Sequence, residues 1–238
     1  DQIACSRPKP CFEPAHGHAR GGGSWWSDGQ RQILEPVRRA LAARNVPITS
    51  EGAGEYLLDV IDSYLLACAP RVEDVPFYTA VYGGYATYFG SYLKPGTSFD
   101  AYYAISARAL IWGVAPGWYH MWPNEDRYRR WGDALADLAR VREAAKEFLA
   151  YGSLEGAVAL REDVGEVSLA WPNPMGGDNV FSGTFPGVIG TWWKDAHGER
   201  TAVALANVSD TERRVSFARP FAGSAVLPAY SVRVVKED

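Results

Sequence analysis

Residues 46–52, Val-Pro-Ile-Thr-Ser-Glu-Gly, decide how the first half of the chain is organised. The run is short and β-branched and ends in a carboxylate and a glycine, as a strand and its C-terminal turn would. Before it, apolar residues recur at three- and four-residue steps from Asp28, which we place as an N-cap, and predict a helix over about 28–44. A second helix is predicted at about 52–67, so the strand lies between two helices.

The alternation of helices and strands continues to about residue 151. Two further apolar runs, 75–82 and 109–115, are predicted as strands buried on both faces, because they contain almost no polar residues. Helices are predicted near 98–108 and over about 125–151. Elements that alternate in this order are typical of β/α units with a parallel sheet.

Beyond Gly152 the pattern changes to short alternating apolar runs, separated by turn sequences such as the one at 195–198. This pattern predicts an antiparallel β domain that begins near residue 153. We therefore expect two domains, a β/α domain over 1–152 and a β domain over 153–238.

Composition excludes several classes of function. The 238 residues carry 24 Lys and Arg against 28 Asp and Glu, a net charge of −4, and no basic run that would bind nucleic acid. No stretch reaches the roughly 18 to 20 apolar residues of a membrane helix, so no membrane partner is expected. Aromatic residues make up 13% of the chain, and many lie beside Gly and Pro in predicted loops, which favours a stacking surface.

Glu51 is the best-placed candidate for catalysis, because the C-terminal ends of barrel strands hold the active site. Its carboxyl group can exchange a proton with substrate, and a second carboxylate nearby would complete the pair that glycoside hydrolysis needs. Alternatively, Ser50 or Glu51 caps the following helix. Glu55, one helical turn onward, either supports Glu51 or is simply solvated.

The long N-terminal loop, residues 2–27, holds His16-Gly17-His18. Alternate residues of an extended segment face the same way, so the two histidines could bind a metal, contact a substrate, or have no special role. The three cysteines are an odd number without metal-ligand spacing, so they establish neither a disulfide framework nor a zinc site. The loop aromatics either stack on sugars or cover the core; they are Trp25, Trp26, Tyr82, Tyr85, Trp118 and Trp122.

The order of several motifs along the first 150 residues carries a family resemblance. The motifs are Asp1-Gln2-Ile3-Ala4, Cys11 through His16-Gly17-His18, Gly21-Gly22-Gly23-Ser24-Trp25, Ile48-Thr49-Ser50-Glu51-Gly52 with Glu55 and Asp62, Val75-Pro76-Phe77, Val81-Tyr82-Gly83-Gly84-Tyr85, Phe89-Gly90 and Trp112 through Trp118. This series resembles an incompletely characterised family of TIM-barrel, glycoside-hydrolase-like proteins. In layout that family is related to the alpha-galactosidase and endo-alpha-N-acetylgalactosaminidase barrels.

The resemblance implies an α/β fold, the C-terminal half of a TIM (β/α)8 barrel, followed by an antiparallel β-sandwich. It implies that Asp1 is the nucleophile or base and Glu51 the general acid, with an oligosaccharide or polysaccharide as substrate and no cofactor or metal. The residues expected around the sugar are His16, His18, Trp25, Tyr82, Trp118 and Glu55.

The first half of such a barrel is absent from this sequence. We therefore expect a longer parent protein, secreted or periplasmic, whose missing N-terminal half completes the barrel. Because a half-barrel exposes sheet edges and apolar surface, we expect the fragment alone to be inactive and to associate.

Two other functions remain open at this point. The first is a non-catalytic carbohydrate-binding or structural protein on the same barrel, since fold analogy does not establish turnover. The second is a metal-dependent hydrolase that uses His16, His18 and Asp1.

Overall fold

The computed structural model describes residues 2–5, 8–66, 71–91, 93–117, 125–174 and 176–237. The chain forms two compact units. One consists of Asp1–Leu66 with Tyr85–Thr87, and the other of Ala67–Gly84 with Tyr88–Asp238.

The first unit contains one long helix, α1 (Trp25–Ala42). The predicted helix exists but begins three residues earlier, because Ser24 and not Asp28 is the N-cap and Asp28 lies in the first turn. The helix holds Pro36 in its interior and buries Leu34 and the polar Gln30. The buried face of α1 therefore includes one polar side chain, that of Gln30.

Two short parallel strands follow α1: β1 (Thr49–Glu51) and β2 (Ser63–Leu65). Their register pairs Ser50 with Tyr64 and Glu51 with Leu65. The predicted strand is thus confirmed, and Glu51 is its last residue. Gly52 follows at φ +71, a left-handed conformation that favours glycine, and a Cβ there would lie 2.7 Å from Cys5 Sγ.

The helix predicted at 52–67 is wrong. This segment forms a 3-10 helix, Glu55–Leu57, and then β2. Two glycines, Gly52 and Gly54, weaken any helix here, and Tyr64 is buried with its hydroxyl donating to the Gly54 carbonyl at 3.1 Å. Pairing of β2 with β1 buries this side chain, which a helix at this point would not do.

Asp62 ties the start of β2 to α1. Its Oδ2 accepts hydrogen bonds from the Ile48 amide at 2.7 Å and from the Arg38 guanidinium. Burial opposes ionisation of Asp62, but the hydrogen bonds from Arg38 and Ile48 outweigh it and hold its pKa below the usual value. Asp62 is therefore a structural carboxylate.

The strand predicted at 75–82 is also wrong: these residues form a short helix, α2 (Phe77–Tyr82). Pro76 precedes its first turn, where a proline ring fits the helical backbone. Tyr78 packs near both Tyr82 and Tyr88, with ring centroids 6.4 and 5.9 Å apart. Tyr78 and Tyr82 are four residues apart, a spacing that brings their rings together in a helix, and this packing explains why the apolar run is helical.

The next helix, α3 (Phe99–Ile111), is longer than predicted and includes the first three residues of the strand expected at 109–115. Ser98 caps it through a 3.3 Å bond from the Ala101 amide, and twelve of its thirteen residues are buried. A helix buried on all sides has no polar face, so its apolar run resembles a buried strand. Only β4 (Val114–Ala115) is extended, and it pairs in parallel with β3 (Thr87–Phe89).

Two helices follow, α4 (Arg129–Ala144) and α5 (Lys146–Leu149), within the predicted helical range of 125–151. The C-terminal part is then built of antiparallel strands, as predicted. They are β5 (Ser153–Ala157), β6 (Glu166–Pro172), β7 (Val180–Pro186), β8 (Val188–Lys194), β9 (Thr201–Asn207), β10 (Arg213–Phe217), β11 (Gly223–Leu227) and β12 (Ser231–Lys236).

Four of these strands form one sheet in the order β12-β9-β8-β5, while β6–β7 and β10–β11 are separate hairpins. The central strand β9 is buried on both faces. Ala202, Ala204 and Ala206 belong to the core that includes α3 and α4, whereas Val203 and Leu205 pack with residues of β10 and β11. The sheet therefore lies between helices and a hairpin.

The structure is a mixed α/β fold with antiparallel sheets in its C-terminal part. The described strands include two parallel pairs, β1 with β2 and β3 with β4. A half TIM barrel is not shown by these pairs. Among the described helices, none is both long and apolar enough to cross a membrane.

Candidate functional site

The N-terminal segment lies against the end of β1. The Gln2 side-chain amide donates to Glu51 Oε2 at 2.6 Å, and the Ala4 amide donates to Ser50 Oγ at 3.1 Å. From α1, the Gln30 amide donates to the Ile3 carbonyl at 3.0 Å. These bonds position residues 2–5 beside the carboxylate predicted to be catalytic.

Glu51 is half-buried and points to the opposite side of β1 from the buried Ser50, as neighbouring residues of a strand do. The Gln2 side chain donates a hydrogen bond to one carboxylate oxygen of Glu51, Oε2. Within the part of the chain that the structure describes, Oε1 has no hydrogen-bond partner. The hydrogen bond from Gln2 therefore restrains Oε2, and Oε1 can bind a substrate or water.

Glu55 is exposed and begins the 3-10 helix that follows β1. It lies next to Tyr56, whose pKa is raised, first by burial of the phenol and then by the negative charge of Glu55. Tyr56 was not among the predicted site residues.

The two loop histidines, His16 and His18, lie together with Cys11 and Trp25. Cys11 Sγ is 3.2 Å from His16 Nδ1, and the His18 ring stacks on Trp25 with centroids 4.4 Å apart and an angle of 6°. The His16 and His18 rings meet edge to face at 5.7 Å. The structure thus brings together three of the predicted substrate residues and one cysteine.

The other predicted site residues are not joined to this group by the described structure. Tyr82 is half-buried at the C-terminal end of α2, in the second unit. Asp1 and Trp118 lie outside the described residues, and so does Trp122. The pairing of Asp1 with Glu51 therefore stays a prediction.

The sequence did not predict Gln2, Gln30 or the contact of Cys11 with His16. Gln2 and Glu51 are 49 residues apart, and Gln30 and Ile3 are 27 apart. A signal for Cys11 was available, since it lies five residues before His16 in a glycine-rich loop. Only the folded loop shows that its thiol faces the histidines.

Comparison with known proteins gives one family match, two sequence relatives and one solved structure. Residues 1–92 match a family described as "Domain of unknown function (DUF6259)". Over 148 residues the chain is 31% identical to a Bacteroides thetaiotaomicron protein named "Putative glycoside hydrolase", an alignment that covers 59% of this chain and 22% of that protein. It is 24% identical over 241 residues to "Putative glycoside hydrolase 22789" of Monosiga brevicollis, covering 88% of this chain and 20% of that protein.

The chain therefore spans about a fifth of the length of these two relatives. Among solved structures, Eubacterium rectale Amy13B is similar with a TM-score of 0.44 and 13% sequence identity. That alignment covers 89% of this chain and 57% of Amy13B. A likeness at this level is too weak to assign a fold. The sequence relatives support a coarse conclusion, similarity to proteins named as glycoside hydrolases.

Proposed function

We propose that this chain is part of a glycoside hydrolase in which Glu51 donates the proton to the leaving sugar. The observation that carries the proposal is the position of Glu51, the last residue of a parallel strand, with Oε2 held by Gln2. In β/α barrels the C-terminal ends of strands hold the catalytic side chains. The similarity to proteins named as glycoside hydrolases supports the reaction class.

The proposed architecture is the C-terminal half of a TIM barrel over residues 1–152, followed by a β-sandwich over 153–238. The parallel pairs β1–β2 and β3–β4 support the first part, and the antiparallel strands support the second. The parent protein would supply the first half of the barrel. The alignments cover only 22% and 20% of the two sequence relatives, so both relatives are longer than this chain, as such a parent would be.

Asp1 is the proposed partner of Glu51. It is joined covalently to Gln2, whose side chain donates to Glu51. In a retaining enzyme the two carboxyl groups stand about 5 to 5.5 Å apart and the partner is the nucleophile, whereas roughly 6.5 to 9.5 Å leaves room for the attacking water of an inverting enzyme. In both mechanisms Asp1 stays ionised and faces a positively charged, oxocarbenium-like transition state.

The substrate is proposed to be an oligosaccharide or polysaccharide. Trp25 is half-buried, with one face of its ring covered by His18, so its other face is the one that can stack on a sugar. His16 and His18 supply ring nitrogens beside it, and Glu55 is exposed at the start of the 3-10 helix, four residues after Glu51. Tyr82 and Trp118 complete the proposed sugar-binding residues.

The experiment replaces Glu51 by Gln in the whole parent protein and measures the release of reducing sugar from a panel of glycans. We expect the rate to fall about 100- to 10,000-fold, the usual contribution of a general acid. The matched control is Glu35→Gln, because Glu35 is exposed on α1 in the same unit and pairs only with Arg39 among the described residues. Equal rates for Glu51→Gln and the wild type would contradict the proposal.

A second candidate function is carbohydrate binding without catalysis, and a groove in the C-terminal part favours it. The groove is lined by Trp192 together with Arg161 and Arg219, an aromatic ring flanked by guanidinium donors. Glycan binding that survives loss of both Asp1 and Glu51, in a parent that hydrolyses no glycan, would favour this function over the first.

A further inference from the structure

The loop that carries the two histidines is closed on itself. Cys11 and Gly21 form an isolated antiparallel bridge, with amide-to-carbonyl distances of 2.9 and 2.6 Å in the two directions. Between them, a 3-10 turn (Pro14–His16) ends at Gly17 with φ +73. The turn reverses the chain, so that His16 and His18 return towards Cys11.

The three side chains of this loop form a compact group of metal-ligand atoms. One ligand atom from each of Cys11, His16 and His18 lies within 4.8 Å of the other two, and the pair Cys11 Sγ and His16 Nδ1 is at 3.2 Å. Tetrahedral zinc, with bonds of about 2.3 Å to sulfur and 2.0 to 2.1 Å to nitrogen, places its ligands roughly 3.3 to 3.6 Å apart. The observed distance of 3.2 Å between Cys11 Sγ and His16 Nδ1 is close to that spacing.

We propose that Cys11, His16 and His18 bind a single Zn²⁺ ion. A thiolate and two neutral imidazoles form a borderline-soft ligand set, which suits zinc better than the oxygen-seeking Mg²⁺ or Ca²⁺. Binding forms the sulfur–zinc bond, and the thiol proton of Cys11 is released to solvent. The site goes beyond the proposed glycosidase function and does not depend on it.

His18 is already arranged as a ligand. Its Nδ1 lies 2.8 Å from the Ala19 carbonyl oxygen, which can only accept, so Nδ1 carries the hydrogen. The lone pair is then on Nε2, which is free to bind a metal. A backbone carbonyl that fixes the ring in this way is the usual outer partner of a metal-bound histidine.

Trp25 restrains the same ring from its face. The indole lies parallel to the imidazole, and Trp26 packs edge to face on Trp25 at 5.5 Å. The orientation of His18 is therefore fixed by contacts at the start of α1 as well as by its own loop. A metal on His18 would in turn hold the Trp25 ring that we propose as a sugar platform.

Three protein ligands leave the fourth position of zinc open. Water or a substrate hydroxyl can occupy it, so metal binding is compatible with the sugar contacts proposed for His16 and His18. Cys11 is half-buried and His16 is exposed, which gives the ion a path from solvent. Cys11 forms no disulfide within the part of the chain that the structure describes, so its thiol is available as a ligand.

The test titrates the full chain with Zn²⁺ by calorimetry after treatment with chelator, and with Co²⁺ as an optical probe. We expect one ion per chain and a thiolate-to-cobalt charge-transfer band in the near ultraviolet. Cys11→Ser should abolish that band and weaken Zn²⁺ binding at least about 100-fold, since loss of even an outer partner costs 10- to 100-fold. His18→Gln should weaken binding to a similar degree.

Two matched variants serve as controls. Cys5→Ser removes the other described thiol of the same unit, and His197→Gln removes a histidine from the turn between β8 and β9; both should bind Zn²⁺ as the wild type does. Circular dichroism of all four variants establishes that they are folded. Absence of stoichiometric Zn²⁺ binding by the wild type, or a charge-transfer band that survives Cys11→Ser but not Cys5→Ser, would overturn the proposal.

Discussion

At the scale of single residues, Asp195 shows how a carboxylate is held ionised in the turn after β8. Its side chain is 3% exposed; Oδ1 accepts from the amide of Glu199 at 2.9 Å, and Oδ2 accepts from Arg200 Nε at the same distance. Burial opposes ionisation, but these donors outweigh it, and the pKa of Asp195 falls from 3.8 to about 2. The ionised form therefore stabilises the turn.

We expect Asp195→Asn to lower the midpoint of thermal unfolding at pH 7. Because the pKa in the folded state lies below the ordinary value, the stabilisation is fully present above about pH 4 and is lost as the pH falls towards 2. The difference between wild type and variant should shrink over that interval. Asp178→Asn, an exposed position, is the control. A difference that stays constant from pH 7 to 2 would show that the charge of Asp195 does not stabilise the fold.

The sequence could predict a site residue only where the secondary-structure element that holds the residue fixes its position. Glu51 follows a β-branched run and does end a strand. The Gln2 contact could not be predicted, because it joins residues far apart in the sequence. The Cys11 contact depends on the exact path of a loop, and loops have no periodicity from which to predict side-chain directions.

At the scale of secondary structure, the predictions were confirmed for elements that have one buried face and one exposed face. Helix α1 has a buried and an exposed face, and its period is visible in the sequence. The runs 75–82 and 109–111 are apolar throughout, and such runs fit a buried helix as well as a buried strand.

One backbone carbonyl group at the end of α3 accepts two hydrogen bonds from side chains of β8. The Ile111 carbonyl, at the C-terminal end of α3, accepts hydrogen bonds from Thr191 Oγ1 at 2.7 Å and Trp193 Nε1 at 3.1 Å. All three residues are buried. These bonds satisfy a helix-end carbonyl that has no partner within the helix.

Thr191→Val should lower the free energy of unfolding by about 0.5 to 1.5 kcal/mol, the usual net contribution of one hydrogen bond, because Trp193 still donates to the Ile111 carbonyl. Unfolding of the wild type and the variant in urea measures this difference in free energy. Thr184→Val, on the exposed face of β7, should change the free energy by less than about 0.5 kcal/mol. If both variants lose the same amount, loss of strand packing and not the Ile111 bond explains the effect.

At the scale of the whole molecule, exposed apolar residues predict association. On α1, Ile33 and Val37 are 64% and 45% exposed and lie one turn apart; on α2, Phe77 and Val81 are 56% and 50% exposed with the same spacing. Apolar pairs on a helix surface favour contacts between molecules.

We expect the average mass from light scattering of the isolated chain to rise with protein concentration, and the double substitution Ile33→Lys and Val37→Glu to reduce that rise. Glu35→Lys, on the same helix but not apolar, is the control for a change of charge. The mass of one chain at every concentration would contradict the expectation.

If Glu51 protonates the leaving group of a glycoside, the loss of activity in Glu51→Gln must depend on which group leaves. A 2,4-dinitrophenyl group departs without a proton, whereas a sugar alcohol needs one. In the parent protein we predict that the variant keeps most of its activity on a 2,4-dinitrophenyl glycoside while losing about 100-fold or more on an oligosaccharide of the same sugar. Equal losses on both substrates, or no loss on either, would contradict the account.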